Sequence, residues 1–301
     1  MCTAIVLRTN DTYFGRTLDH DFSYGEQVVI TPRNFVFKFK CKKEIHLHYA
    51  FIGMAHVNNN YPLYYEAFNE KGLAIAGLNF VNNAYYHQEK EDKDNIAQFE
   101  FIPWILCQCK NIDEAMSLLN KINIIDIQFS NQFPVAKLHW MISDCNRSII
   151  VESTKEGLNI YEDDYKVLTN DPCFLKQIHN LKNYLQNNDK LPLGFDSKSR
   201  FIKAYYAKNN SINGENEDES VNQFFHIMSY VFQQKGINKL ENGNFQYTIY
   251  TSCCNLNQGI YYYTTYFNHQ INRINLVHEN LDSNRLITYS LPNKENFNQQ
   301  N

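Results

Sequence analysis

The sequence predicts an α+β fold with mostly antiparallel sheets. Short β-branched or aromatic runs fill the first third of the chain, and apolar spacings near 3.6 residues follow at 98–120. Further strand-like and helical blocks then give the order β-block, two helices, β-block, helices, β-block, without the strict βαβ alternation of a doubly wound fold. With 301 residues, 44% of them hydrophobic, and no visible linker, residues 1–301 are predicted to form a single domain.

The first block is predicted to consist of strands separated by turns. Turn-forming residues stand at 31–34 (TPRN), 58–61 and 69–72. The predicted strands are 4–7, 13–18, 27–31, 35–39, 49–54, 63–68 and 73–79.

Two helices are predicted next, at 98–109 and 112–120. Asn111 is a suitable N-cap for the second, because its side-chain oxygen can accept a hydrogen bond from the first turn. Asp113 and Glu114 follow it, where carboxylates suit the helix dipole.

The remainder of the chain alternates between the two kinds of element. Strands are predicted at 137–143, 148–153, 158–161, 166–169, 246–252, 259–266 and 273–276, and helices at 173–187, 199–208 and 220–233. Residues 144–147 make the first pair of these strands a hairpin. Residues 209–220 (NNSINGENEDES) are predicted to be a polar loop within the domain, and residues 293–301 a flexible tail.

Composition argues against several function classes. The 28 Lys and Arg against 32 Asp and Glu give a net charge of −4, and no basic run could neutralise a nucleic-acid backbone. No apolar stretch approaches the ~20 residues that a membrane-spanning helix needs. The start MCTAIVLRTNDTYFG lacks the features of a signal peptide, which predicts a cytoplasmic protein.

The eight cysteines are predicted to be mostly reduced, buried small hydrophobes, because a disulfide framework suits small secreted chains. No CxxC pair occurs, and the HxH of His46 and His48 has no third candidate ligand nearby. We therefore predict neither a metal site nor a cofactor.

Cys2 is the first candidate for chemistry. Removal of Met1 would leave a thiol and a free α-amine on one residue, and an α-amine of pKa near ~8 can act as a base at neutral pH. A thiol activated in this way is a nucleophile. Position alone also fits an incidental cysteine at the edge of the first strand.

Several motifs favour the catalytic interpretation. The opening CTAIVLRTNDTYFGRTLD, with the following SYGEQVVITPRN, resembles the choloylglycine hydrolase family of N-terminal-nucleophile hydrolases. Blocks in the order of the family continue to the end of the chain: NEKGLAIAGLNF, LHWMISD, SIIVE, VLTNDP, SRF and YTSCC…GIYYYTTY. The resemblance implies a four-layer αββα sandwich and hydrolysis of a small-molecule amide.

The resemblance also implies a catalytic set. Cys2 matches the nucleophile, and Arg16 in FGRTLD matches the arginine that stabilises its thiolate. Asp19 matches the carboxylate that holds the α-amine, and Arg200 in SRF matches a second active-site arginine.

Two asparagines match the oxyanion hole of the family. Asn79 in GLNF and Asn170 in LTNDP would offer a backbone N–H and a side-chain amide to the developing oxyanion. Without the resemblance, either one would be interpreted as a turn former.

The family contains bile salt hydrolases and penicillin V acylases. Asn79 resembles the former, since many penicillin V acylases carry tyrosine there, so conjugated bile salts are the predicted substrates. Penicillin V, N-acyl homoserine lactones and a non-catalytic scaffold of the same fold are the alternatives. The aromatic residues predicted to line the substrate site are Phe22, Tyr24, Tyr61, Phe80 and Phe133.

The sequence departs from the family between Asn170 and Arg200. The intervening segment is shorter than in familiar relatives, and only 193–196 (LGFD) remains of a glycine-rich run and the turn after it. In the family that segment is associated with subunit assembly, so we predict a homo-oligomer smaller than the family's tetramer, a dimer, or else a monomer. His20 also stands where an apolar residue is common, and with Asp21 beside it we interpret it as a local polar pair.

Overall fold

The computed structural model describes residues 1–40, 44–187 and 190–301. Its strands are β1 (Cys2–Arg8), β2 (Thr12–His20), β3 (Gln27–Thr31), β4 (Phe51–Asn58), β5 (Tyr61–Asn69), β6 (Ala74–Asn79), β7 (Asp94–Ala97), β8 (Ile122–Ile125), β9 (Leu138–Ser143), β10 (Ser148–Thr154), β11 (Gly157–Glu162), β12 (Val167–Leu168), β13 (Asn238–Lys239), β14 (Phe245–Asn255), β15 (Ile260–Thr265), β16 (Asn268–Asn275) and β17 (Ile287–Ser290). Its α-helices are α1 (Phe101–Gln108), α2 (Ile112–Leu119), α3 (Phe174–Asn187), α4 (Ser197–Asn210) and α5 (Glu217–Ser229).

Within these described ranges, two large antiparallel sheets dominate. One has seven strands in the order β12-β1-β2-β14-β15-β16, with β13 paired to β14. The other has eight strands in the order β11-β10-β9-β6-β5-β4-β3-β17. A separate parallel pair joins β7 to β8.

Both faces of the eight-stranded sheet are buried. Along β6, Ala74, Ala76 and Leu78 pack into the core that contains the seven-stranded sheet and helices α3–α5, whereas Ile75 packs into a second core with α1 and α2. Successive strand residues point to opposite faces, so one strand serves both cores. The order helices, sheet, sheet, helices confirms the four-layer αββα sandwich.

Local chemistry explains several boundaries. Asn59 and Asn60 adopt positive φ values of 50° and 60°, which a two-residue hairpin turn between β4 and β5 requires. The Asn111 side chain accepts a hydrogen bond from the backbone N–H of Glu114 at 3.0 Å. The predicted cap of α2 is thereby confirmed.

The predicted strand at 35–39 is wrong. Phe35, Phe37 and Phe39 are buried in the second core, but only Phe37 forms a β-bridge, to Ile45. The apolar pattern correctly predicts that these side chains are buried. A strand also needs a neighbouring backbone that pairs with it by hydrogen bonds along the whole segment. The predictions missed β7, β8, β13 and β17, of which β17 completes the eight-stranded sheet beside β3.

Helix α5 begins three residues before its predicted start. The Asn216 side chain caps it by accepting from the backbone N–H of Glu219 at 3.0 Å, and three acidic residues occupy its first turn. Because α4 also extends to Asn210, the predicted polar loop at 209–220 shortens to residues 211–216. Residues 293–301 form no helix or strand, although Glu295 accepts a hydrogen bond from His269.

Seven described cysteines are free thiols, and five of them are buried: Cys2, Cys107, Cys109, Cys253 and Cys254. The remaining cysteine, Cys41, lies outside the described residues. None of the described helices combines the length and apolar character needed to cross a bilayer.

Candidate active site

The first residue of β1 contributes its thiol to a cavity of about 320 Å³. Cys2 pairs with Leu18 of β2 and is only 3% exposed. Arg16, Asp19 and Asn79 line the same cavity, although they come from two different sheets. The face-to-face packing of the sheets therefore brings together residues that lie far apart in the sequence.

Asn170 holds the backbone of Cys2. Its side-chain oxygen accepts a hydrogen bond from the Cys2 backbone nitrogen at 2.7 Å. Its side-chain nitrogen donates to the carbonyl oxygen of Asn79 at 2.8 Å. A single amide thus links the nucleophile candidate to the end of β6.

Arg200, near the start of α4, lies behind this contact and is fully buried. Its guanidinium donates to the Cys2 carbonyl oxygen, to the Asn170 side-chain oxygen at 2.8 Å and to the Thr3 hydroxyl at 2.8 Å. Burial lowers the pKa of Arg200, and the nearby Asp19 and Cys2 oppose that effect. The planar fork suits a residue that must bind several acceptors at fixed positions.

Arg16 is also buried, at 1% exposure, and it connects the two sheets. Its Nη1 donates to the carbonyl oxygens of Gly77 at 2.6 Å and Tyr65 at 3.2 Å, and its Nε lies 3.9 Å from Glu66. Burial acts to lower the pKa of Arg16, but neighbouring groups, Cys2 first among them, raise it overall. The guanidinium therefore stays charged beside the thiol.

Glu66 is fully buried, and its two carboxylate oxygens accept hydrogen bonds from Tyr250 and Tyr261, each at 2.6 Å. Burial raises the pKa of Glu66, whereas Arg16 and the two phenols lower it. Glu66 cannot be identified from the sequence, because a lone glutamate in a strand carries no signal of its buried arginine partner.

The Asp19 carboxylate is held by side chains that the sequence did not point to. It accepts hydrogen bonds from Thr248 at 2.7 Å, Gln233 at 3.0 Å and Thr17 at 3.2 Å. The Met1 ammonium donates to the backbone oxygen of Asp19 at 2.5 Å, and burial lowers the pKa of that ammonium. Asp19 is thus fixed next to the chain start.

Aromatic and aliphatic side chains form most of the cavity wall. Of the aromatic residues expected at a substrate site, Tyr24 and Phe133 line the cavity. Phe22, which was also predicted to line the site, does not line the cavity; it is 47% exposed, with its ring centroid 4.6 Å from that of Tyr24. Tyr61 stands behind the wall, against Phe129 at 5.4 Å.

Phe80 is fully buried and lies outside the cavity lining, stacked on His139. Further lining residues come from segments without a recognisable motif: Leu63, Tyr64, Tyr65, Phe99, Ile102 and Phe129. Their contribution depends on the path of the chain over the sheet ends, which sequence spacing does not encode. His20 lines the cavity and lies 2.9 Å from Asp21, as expected for a local polar pair.

This arrangement suits covalent catalysis on an apolar acyl compound. A buried thiol opens into an aromatic cavity, and two guanidinium groups and an amide surround it. Such a thiol can attack a carbonyl carbon whose oxygen faces hydrogen-bond donors.

Comparisons with known proteins agree with this chemistry. The model of the family described as linear amide C–N hydrolases, choloylglycine hydrolase family, matches residues 2–289. A bile salt hydrolase/transferase from Lactiplantibacillus plantarum is 43% identical over 320 residues, covering 99% of both chains.

Solved structures give the same result. A mutant conjugated bile acid hydrolase from Clostridium perfringens is similar with a TM-score of 0.92 and 36% identity, covering 100% of each chain. Penicillin V acylase from Agrobacterium tumefaciens has a TM-score of 0.81 at 19% identity, covering 96% of this chain and 90% of its own, and shows the shared fold.

Proposed function

This chain belongs to the choloylglycine hydrolase family of linear amide C–N hydrolases, and we propose that it cleaves the amide bond of glycine- and taurine-conjugated bile salts. The observation that carries the proposal is the Cys2 thiol within an aromatic cavity, in a chain that matches a bile salt hydrolase/transferase over 99% of its length. The apolar wall suits a bulky apolar acyl group such as a sterol body.

The reaction begins at Cys2. Once Met1 is removed, the α-amine accepts the thiol proton, and the sulfur attacks the amide carbon of the substrate. The charge on Arg16 favours the thiolate. The first new bond is the C–S bond of a tetrahedral intermediate.

Asn79 and Asn170 receive the oxyanion of that intermediate. The side-chain nitrogen of Asn170 carries two hydrogens, and only one of them is needed for its bond to the Asn79 carbonyl. The second is available for the oxyanion, and one such donor contributes about 3–4 kcal/mol to the transition state. This role places the nitrogen of Asn170 toward the substrate and its oxygen toward Cys2.

Collapse of the intermediate breaks the C–N bond, and the protonated α-amine delivers its proton to the leaving nitrogen. The acyl group remains on Cys2 as a thioester. Water then attacks the thioester and releases the free acid and the thiol. An amine in place of water would take up the acyl group as a new amide, and the name of the L. plantarum relative includes a transferase activity.

The test is a release assay on purified protein with glycocholate, taurocholate, penicillin V and a long-chain N-acyl homoserine lactone in parallel. We expect the two bile salts to be hydrolysed faster than the other compounds. Cys2→Ala is the matched control and should lose hydrolysis of every substrate. Faster release from penicillin V or the lactone would replace the proposed substrate class, and no release from any substrate would favour a non-catalytic scaffold.

We also propose that the protein is cytoplasmic and is a homo-oligomer smaller than a tetramer, a dimer, or else a monomer. The free thiols of the seven described cysteines suit a reducing compartment. The segment between Asn170 and Arg200 is shorter than the assembly segment of familiar relatives, so less apolar area is available between subunits. Light scattering should give a monomer or dimer, and a stable tetramer at sub-micromolar protein would contradict this assignment.

A further inference from the structure

One buried histidine contacts both segments of the proposed oxyanion hole. The ring of His139 on β9 stacks on Phe80, the residue after Asn79, with centroids 4.3 Å apart and planes 8° from parallel. Its Nε2 lies 2.7 Å from the carbonyl oxygen of Thr169, the residue before Asn170. His139 is fully buried and does not line the cavity.

We propose that His139 is a positioning residue that sets the placement of Asn170 relative to Asn79. The inference rests on the proposed roles of these two asparagines as oxyanion donors. A shift of the Thr169 carbonyl moves the next residue, and the Asn170 amide has to lie within hydrogen-bond distance of an oxygen that exists only in the transition state.

The Thr169 carbonyl fixes a hydrogen on Nε2 of the ring, and Glu152 holds the opposite ring nitrogen. A carbonyl oxygen only accepts, so the Nε2 that faces Thr169 must be protonated. The other ring nitrogen, Nδ1, lies 3.2 Å from a carboxylate oxygen of Glu152, which also accepts the backbone N–H of Phe174 at 2.8 Å. The pair of His139 and Glu152, both fully buried, thereby holds the ring in one orientation.

The loop that carries Asn170 has a second, independent support. The Gln177 side chain on α3 donates to the carbonyl oxygens of Asn170 and Pro172 and accepts from the Thr169 hydroxyl at 2.8 Å. Removal of the His139 hydrogen bond should therefore shift the loop without unfolding it. A variant that loses activity while the loop stays folded would show that His139 positions Asn170 and is not needed to form the fold.

The experiment compares His139→Gln with His139→Met. The two replacements have similar length and volume, and both lose the stack on Phe80 and the contact with Glu152. Only glutamine retains an N–H donor that can reach the Thr169 carbonyl. The difference between the two variants therefore reports on this one hydrogen bond.

With the amide that the wild type hydrolyses best, we expect the kcat of His139→Met to fall about tenfold below that of His139→Gln, because a buried acceptor loses its partner. KM should differ by less than about threefold, since the contact acts in the transition state. The rate of Cys2 alkylation by iodoacetamide should be equal in the two variants, because neither touches the thiol.

Equal kcat values for the two variants would overturn the proposal, as would a parallel loss of Cys2 alkylation. Hydrogen exchange gives a reading that needs no substrate: amides at 169–173 should exchange faster in His139→Met than in His139→Gln, while those of β10 remain unchanged. Unchanged exchange at 169–173 would also overturn it. Failure of the proposed bile salt specificity would appear instead in the wild type, as preference for another amide.

Discussion

The backbone nitrogen of Cys2 donates a hydrogen bond to the side-chain oxygen of Asn170 at 2.7 Å, while the Met1 ammonium binds the Asp19 backbone. The acceptor for a free α-amine at Cys2 is therefore already in place, held by a second hydrogen bond from Arg200. Loss of Met1 converts the Cys2 nitrogen from an amide, which cannot act as a base, to an amine, which can.

We predict that the mature enzyme begins at Cys2. Intact mass spectrometry should show loss of one methionine in active preparations, and activity should rise with the fraction of chains that have lost it. A preparation that keeps Met1 on every chain and hydrolyses its substrate at full rate would rule out the α-amine as the base.

Much of the fold could be predicted because its apolar patterns are local. The hairpin of β9 and β10 and the helix that starts after Asn111 follow from residues that are neighbours in sequence. Strand β17 was missed because ITYS becomes a strand only through pairing with β3, more than 250 residues earlier. Long-range pairing of this kind leaves little trace in a short sequence window.

The candidate site likewise contains residues that could be predicted from the sequence and residues that could not. Six residues that match family motifs lie together around the chain start, where the structure connects them through hydrogen bonds or a shared cavity: Cys2, Arg16, Asp19, Asn79, Asn170 and Arg200. The residues that support them, such as Glu66 and Gln233, could not be identified because their partners come from other strands. Phe80 shows the opposite error, since this aromatic residue of a family motif was predicted to line the site and is buried in the core.

Arg16 should contribute to both the thiolate and the fold. Arg16→Gln should move the pH midpoint of Cys2 alkylation upward, because a positive charge beside the sulfur is lost. It should also lower the free energy of unfolding by about 3–5 kcal/mol, since the buried Glu66 carboxylate loses its cation. Urea unfolding and iodoacetamide titration measure the two effects.

The double variant Arg16→Gln/Glu66→Gln separates these effects. It leaves no unpaired carboxylate at position 66, so most of the lost stability should return, while the alkylation midpoint should stay high. An alkylation midpoint that returns to the wild-type pH in the double variant would show that Arg16 does not act directly on the thiol.

Asp163 should make the stability of the fold depend on pH. Its carboxylate accepts the backbone N–H groups of Tyr165 and Lys166, at 3.0 and 2.8 Å, but one of its oxygens is buried without a partner. Burial raises the pKa of Asp163 to about 7. In the unfolded chain an aspartate side chain has a pKa near ~3.9, so Asp163 keeps its proton to higher pH in the folded state. The free energy of unfolding therefore falls as the pH rises from about 4 to about 7.

Asp163→Asn keeps the acceptor for both backbone N–H groups and cannot ionise. Between pH 4.5 and 7.0 the wild type should lose about 2–3 kcal/mol of unfolding free energy relative to this variant, as measured by urea denaturation. This range also avoids the titration of Lys208, whose pKa burial lowers to about 8. The same pH dependence in both proteins would contradict the assignment, and hydrolysis should be unchanged because Asp163 does not line the cavity.

Cys2 should be the only described cysteine whose modification inactivates the enzyme. Alkylation requires a thiolate, and burial raises the pKa of Cys109 to about 12 and that of Cys107, Cys253 and Cys254 well above the ordinary value. Iodoacetamide should therefore label Cys2 first, and a saturating bile salt should slow that labelling. Peptide mapping against residual activity measures both effects, at Cys41 as well as at the described positions.

The decisive variant is Cys2→Ser. It should preserve the melting temperature, because one atom changes at the start of β1, and the hydrogen bond from the backbone nitrogen to Asn170 does not depend on the side chain. It should lose most of the turnover, because an amine of pKa near ~8 removes a proton from a hydroxyl far less readily than from a thiol of pKa near ~8.5. Cys173→Ser, at a half-buried cysteine that does not line the cavity, is the matched control and should keep wild-type activity. If Cys2→Ser retained near-full activity, or if labelling of Cys173 tracked inactivation, the sulfur of Cys2 could not be the attacking atom and the thioester mechanism would fail with it.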